Sequence, residues 1–205
     1  MGDSPRFCLE PPIRAFLAPK LRQDGYAGSG LTFRRVRSEW IQVVNVQGSR
    51  YGGQFAVNLA VHPIAIPDVR GELPDPKTIT VELCEFRRRL SAAGADQWWA
   101  YEKSLDAIDS AMRDATDVYE RHGRPLMDLI SSSTSPLLTV KPIDFQGGHF
   151  DFLGFGSMKA RMALVLARMR KSAGRSDDAL AFAKVGLEAC GDSAQMLRRD
   201  LQAIG

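Results

Sequence analysis

Cysteine and histidine are both scarce in this chain, with three of each among 205 residues. Cys8, Cys84 and Cys190 are odd in number and widely spaced. That pattern suits neither a disulfide framework nor a cysteine zinc site, and it points to a reducing, bacterial-type cytoplasmic setting. His62, His122 and His149 are scattered and contain no His-x-x-x-His pair for zinc. No window is apolar for long enough to span a membrane, so no membrane association is expected. The opening "MGDSPRFCLEPP" lacks an apolar run of signal-peptide length, and Arg6 stands where a myristoylation signal wants serine or threonine. A formal charge of +3 is too mild to imply nucleic acid as a partner. There is no nucleotide-binding glycine loop: "GFGSMK" (154–159) lacks the required spacing and reads as a packed glycine turn with Ser157 as N-cap. No Ser-His-Asp or Cys-His signature is recognisable either. These absences leave no catalytic residue, no metal ligand set and no cofactor to name.

What is present is an ordinary soluble composition with clear punctuation. Residues 13–22 form an amphipathic helix with Ile13, Phe16, Leu17 and Leu21 on one side. Gly25 and Gly28 mark a turn. The runs 31–36 and 39–47 then read as a tight hairpin, with 54–62 as a third strand. After a proline-rich connection, "KTITVELCEF" (77–86) is β-rich in its first half and is expected to return to the sheet. Asp96 is a reasonable N-cap for a long helix to about His122, with Leu105, Ile108, Met112, Ala115 and Tyr119 as its apolar stripe. Gly123 and Pro125 are expected to stop it. "SSSTSP" (131–136) has linker composition, and helices are expected near 157–172, 177–190 and 193–203. The fold class is therefore α+β: an antiparallel sheet of about four strands packed against helices, with a C-terminal helical extension. The expected organisation is an α+β domain over 1–130, a linker over 131–156 and a docked helical extension over 157–205.

The stretch "IQVVNVQGSRYGGQFAVNL" (41–59) carries polar amides inside a strongly apolar hairpin. A turn at 48–53 would pair Gln47 with Gln54, Asn45 with Ala56 and Val43 with Asn58. That register places Val44 and Val46 with Phe55, Val57 and Leu59 on the core face. Asn45, Gln47, Gln54 and Asn58 gather on the other face, near the turn residues Ser49, Arg50 and Tyr51. Such a face is either covered by another element, its amides satisfying backbone groups there, or left open as a hydrogen-bonding surface for a protein or small ligand.

A second cluster combines aromatic and basic residues: Arg88, Asp96, Trp98 and Trp99. Adjacent tryptophans at a helix start diverge by about 100°, so one enters the core and the other covers an edge. Within Arg87–Arg88–Arg89, one arginine should pair with Asp96 or Glu85. The Pro67-Asp68 step followed by "VELCE" has the order of an Asp…Glu-x-Lys nuclease core, but the lysine is missing after Glu82. The basic residues Lys159, Arg161, Arg168, Arg170, Lys171 and Arg175 surround their helix and read as solvated surface.

Four stretches, "DGYAGSGLTFRR", "VVNVQGSRYGGQFAVNLAV", "CEFRRRL" and "GADQWWAY", in that order, resemble the family catalogued as domain of unknown function 4304. The resemblance covers roughly residues 13–130, with Tyr26 in place of a more typical phenylalanine. It implies an α+β domain with an antiparallel sheet, and it implies no activity. The segment from Ala163 to Cys190 also resembles a single tetratricopeptide-type helical hairpin. The expected function is a non-enzymatic binding or interaction module, with an immunity- or antitoxin-like role by analogy of class. The alternative is an enzyme acting on nucleic acid or a phosphorylated ligand through a degenerate nuclease-like core.

Overall fold

The computed structural model describes residues 8–94, 96–102 and 104–205. Residues 1–7, which carry most of the opening segment, lie outside the described residues. The first helix covers residues 10–23 (α1) and buries Ile13, Leu17 and Leu21. A π turn at Ile13–Leu17 precedes Pro19. Proline removes an N–H and crowds the carbonyl four residues back, and a widened turn relieves both problems.

The same device recurs in the long helix over 105–130 (α2), where the π turn Tyr119–Gly123 precedes Pro125. Gly123 and Pro125 therefore do not end this helix, as the sequence suggested; it runs on to Ile130. Its start also differs. Ser104, not Asp96, is the N-cap, its hydroxyl accepting the Ala107 N–H at 3.1 Å. Leu105 at the first turn is exposed, so the buried stripe begins at Ile108 and continues through Met112, Ala115 and Tyr119.

Among the described residues, one antiparallel sheet contains six strands, where about four were expected. β1 (Ala27–Ser29), β2 (Thr32–Arg37), β3 (Trp40–Gly48), β4 (Gln54–Pro63) and β5 (Phe86–Arg89) lie side by side in chain order. β6 (Trp99–Ala100) pairs with the first residues of β4. The β3–β4 register is offset by two residues from the expected pairing: Asn45 faces Asn58, and Val44 faces Leu59. Gly52 and Gly53 adopt positive φ and reverse the chain closely enough for Ser49 N–H to reach the Gln54 carbonyl at 2.9 Å. An even offset leaves every side chain on its expected face.

β5 is the arginine run itself, not the β-rich residues before it. Residues 77–84 form a turn and a 3-10 segment at Val81–Leu83. Ile79, Val81 and Cys84 pack there on Ile41, Val43 and Ala60.

On the opposite face, Phe33, Val44, Val46, Phe55, Val57 and Leu59 pack with α1 and α2 in one continuous core. Residues 131–156 contain two short helices, α3 (Pro136–Thr139) and α4 (Pro142–Gly147). Leu137, Phe145, Phe152 and Phe155 from this segment are buried in the same core. It is joined by α5 (Lys159–Ser172), α6 (Ser176–Glu188) and α7 (Gln195–Gln202). Met162 and Val165 are buried and Leu187 is half-buried, while Leu180 is exposed because the α6 stripe runs through Ala179, Phe182, Ala183 and Gly186. Ser157 lies outside its expected capping role: Met158 is the N-cap, and the Ser157 hydroxyl makes no hydrogen bond among the described residues.

Candidate functional site

The face of the sheet turned away from the main core divides into two halves. Towards the β2–β3 turn it is covered by Ile79, Val81 and Cys84. Towards the β3–β4 turn it is partly exposed among the described residues: Thr32, Asn45, Gln54, Asn58 and Arg89 are half-buried and Gln47 is exposed, while Ala56 is fully buried. Strand registers align four of them in one row across four strands. Thr32 on β2 faces Asn45 on β3, Asn45 faces Asn58 on β4, and Asn58 faces Arg89 on β5. Three interstrand spacings make the row about 14 Å long.

The row is hydrogen-bonded from Thr32 to Asn58. Asn45 Nδ2 donates to Thr32 Oγ1 at 2.9 Å and to the Leu31 carbonyl at 3.2 Å. Asn58 Nδ2 donates to Asn45 Oδ1 at 3.3 Å and to Gln47 Oε1 at 3.0 Å. At the far end Arg89 donates to Asp96 at 2.9 Å, and its guanidinium lies 4.4 Å above the Trp98 ring. Asn45, Asn58 and Trp98 are half-buried and Gln47 is exposed. Asn58 Oδ1 and Gln47 Nε2 make no hydrogen bond among the described residues and face solvent. Chemically the row offers amide donors and acceptors, one cation partly neutralised by Asp96, and an aromatic face.

The sequence-predicted residues distribute as follows. Asn45, Gln47 and Asn58 come together as the alternation implied. Gln54 lies on the same face, opposite Ala100. Ser49 and Arg50 sit in the turn, where the Ser49 hydroxyl accepts the Tyr51 N–H at 3.2 Å and Arg50 stacks on Tyr51. The aromatic and basic cluster is divided by strand alternation. Trp99 enters the core, stacks on Phe55 at 5.7 Å and donates its indole N–H to Asp114 at 2.7 Å. Arg88 turns to the core face and binds the Leu153 carbonyl, and burial lowers its pKa. Arg89 takes the place in the cluster that was expected of Arg88, because Arg88 points to the core face while Arg89 lies opposite Asn58 and against Trp98. The two candidate clusters thus meet in a single surface, a convergence that depends on β6 and is not legible before that strand is placed.

Further polar groups are buried elsewhere. Gln42, on the core face of β3, accepts the Tyr26 hydroxyl at 2.9 Å and also accepts from Arg35. Its Nε2 donates to the Met127 carbonyl at 2.7 Å. Tyr26 therefore uses the hydroxyl that distinguishes it from phenylalanine. Below the covered half, His62 Nδ1 accepts the Glu85 N–H at 3.3 Å, and Nε2 donates to the Ile66 carbonyl at 2.8 Å. Burial holds the imidazole pKa below its ordinary value. Glu85 is paired with Arg161, so one member of the basic C-terminal group is not solvated surface.

Asp68 is buried; burial opposes its charge, but N–H groups of Arg70 and Glu72 outweigh that effect and hold its pKa low. Glu82 is exposed on the 3-10 segment, and Asp68 is bound to Arg70. No group of three or more His, Cys, Asp or Glu side chains converges for a metal among the described residues. No helix among the described residues is long and apolar enough to cross a membrane.

The antiparallel sheet with helices packed on one face defines an α+β domain. The model of one family, Domain of unknown function (DUF4304), matches residues 17–128. That is more than half of the chain, and the chain belongs to the DUF4304 family. No curated protein and no solved structure matches it.

Proposed function

We propose that this protein is a non-enzymatic binding module that engages a protein partner through the open row Thr32–Asn45–Asn58–Arg89 and the flanking Trp98. The observation that carries this is the alignment of those residues, from four strands, on a face that the other described residues leave partly exposed. Asparagine is depleted in strands, so two facing asparagines inside a hairpin are uncommon. A row of mutually bonded amides holds its geometry in water and still leaves Asn58 Oδ1 and Gln47 Nε2 to bond with a partner. Tryptophan and arginine are the side chains that most often dominate binding energy at protein interfaces, and both lie at one end of the row. The matching partner surface offers backbone or side-chain amides to the row and a planar or apolar group to Trp98. Masking of a partner's own site, as immunity proteins and antitoxins do, is one use of such a face. The cysteines Cys8, Cys84 and Cys190 are free, which supports a cytoplasmic setting.

The test is a quantitative comparison of proteins captured by the wild type and by an Asn58→Ala/Trp98→Ala double variant that keeps its melting temperature. A protein retained in stoichiometric amount by the wild type and lost by the variant is the expected result. Identical retention by both would place the partner surface elsewhere.

A further inference from the structure

At the opposite end of the β3–β4 hairpin from the amide row, and independent of it, a cleft of about 470 Å³ opens between the sheet and the C-terminal end of α5. Its walls include Trp40, Ile64, Ile66, Leu138 and Met169. A volume of that size falls in the range of sites for small organic ligands, and such sites combine apolar walls with a few polar anchors. The polar group here is unusual. Arg170 lines the cleft, yet its residue surface is only 2% exposed.

Its guanidinium is incompletely satisfied. Nη2 donates to the carbonyls of Leu137 at 3.1 Å and Val140 at 3.0 Å. Nε is buried with no partner, and Nη1 has none among the described residues. The Phe182 ring lies 5.4 Å from the guanidinium carbon. No carboxylate pairs with Arg170 among the described residues. The nearby Asp178 is engaged by Arg175, which also lines the cleft. Burial and the neighbouring Arg175 weigh against the charge, lowering the Arg170 pKa to about 10. A buried guanidinium without a counter-ion is costly, and proteins seldom keep one without a partner. The carbonyls of the last α5 turn do not compete for a cation here, because those of Met169, Arg170 and Lys171 accept N–H bonds from Ala173, Arg175 and Gly174.

We infer that this cleft binds a small monocarboxylate with an apolar body, the carboxylate meeting Arg170 and the body lying against Trp40, Ile64, Ile66 and Met169. A single charge fits the site better than a phosphate dianion. There is one unpaired guanidinium, Glu39 at the rim repels further negative charge, and most of the lining is apolar.

The test uses 4-phenylbutyrate and its neutral amide as probes of the full chain, read by calorimetry and by the Arg170 Nε–H resonance. The acid is expected to bind saturably and at least about tenfold more tightly than the amide, as a charge-assisted contact requires. It should also shift the Arg170 resonance. Arg170→Met should abolish the preference for the acid. Should that variant fail to fold because the Leu137 and Val140 carbonyls lose their donor, Ala173→Trp, at an exposed position on the rim, should block both probes without touching Arg170. Equal affinity for acid and amide, no saturable binding of the acid, or undiminished binding to Ala173→Trp would each overturn the inference.

Discussion

Two amides on β3 and β4 point to opposite faces of the sheet, and replacing each in turn separates an open surface from a sealed one. Asn58→Ala removes two hydrogen bonds, to Asn45 Oδ1 and Gln47 Oε1. Both acceptors reach water once Asn58 is gone, so the net loss is that of ordinary exposed bonds, about 0.5–1 kcal/mol. Gln42→Leu has a similar side-chain volume but a different outcome. Gln42 is fully buried, and its oxygen accepts from Tyr26 and Arg35. The Met127 carbonyl keeps the Ser131 hydroxyl, and Arg35 keeps the Asp24 carbonyl and Asp128, but the Tyr26 hydroxyl loses its acceptor in a site where burial already raises its pKa. A stranded buried donor costs about 1–3 kcal/mol, and the weakened Arg35 contact adds to that, for about 2–4 kcal/mol in all. Urea melts of the two variants beside the wild type measure both numbers. Equal losses, or a larger loss for Asn58→Ala, would refute the view that the amide row is solvent-facing and structurally dispensable.

Three further outcomes follow from the packing and the charges. Leu59→Ala, at a fully buried site of the main core, should cost about 2–5 kcal/mol by urea melt, and a loss below about 1 kcal/mol would mean the sheet faces are wrongly assigned. Gly186→Val should cost about 1–3 kcal/mol, because a Cβ there would already stand 2.5 Å from Leu201 Cδ2 and 3.1 Å from Ala163 Cβ; an unchanged melting temperature would contradict the close approach of α5 and α6. His62 is held below its ordinary pKa of 6.5 by burial, so the unfolded chain binds more protons than the folded one below pH 6.5. Its contribution to stability is complete above that pH and declines as the pH falls. Melts at pH 7 and pH 5 should show a smaller acid loss for His62→Gln than for the wild type, and an identical loss would remove His62 as the cause.

Much of this architecture is legible in the residues, for a physical reason that varies by element. The alternation in 40–47 and 54–62 assigns both faces of the hairpin, because burial of Val44, Val46, Phe55, Val57 and Leu59 tolerates only even shifts of register. The shift itself depends on how tightly Gly52 and Gly53 turn, which composition does not reveal. β5 is opaque for another reason. Arg87, Arg88 and Arg89 have weak claims as a strand, yet they pair with β4, while Ile79 and Val81 cover Ile41 and Val43. Asp96 and Ser104 are both competent N-caps, and only the pairing of Trp99 with Phe55 decides between them. Arg170 has no local signal of burial at all, since its neighbours Arg168 and Lys171 read as one basic surface and only tertiary packing of Phe182 and Leu137 distinguishes it.

The central proposal is that the open half of the sheet is the partner surface, and hydrogen exchange in the presence of the captured partner tests it most directly. Backbone amides in 45–48, 54–58 and 96–100, at and beside the row, should exchange more slowly in the complex, while 169–175 beside the Arg170 cleft should be unchanged. Protection confined to 169–175 or to α6 and α7, with none at the row, would contradict it.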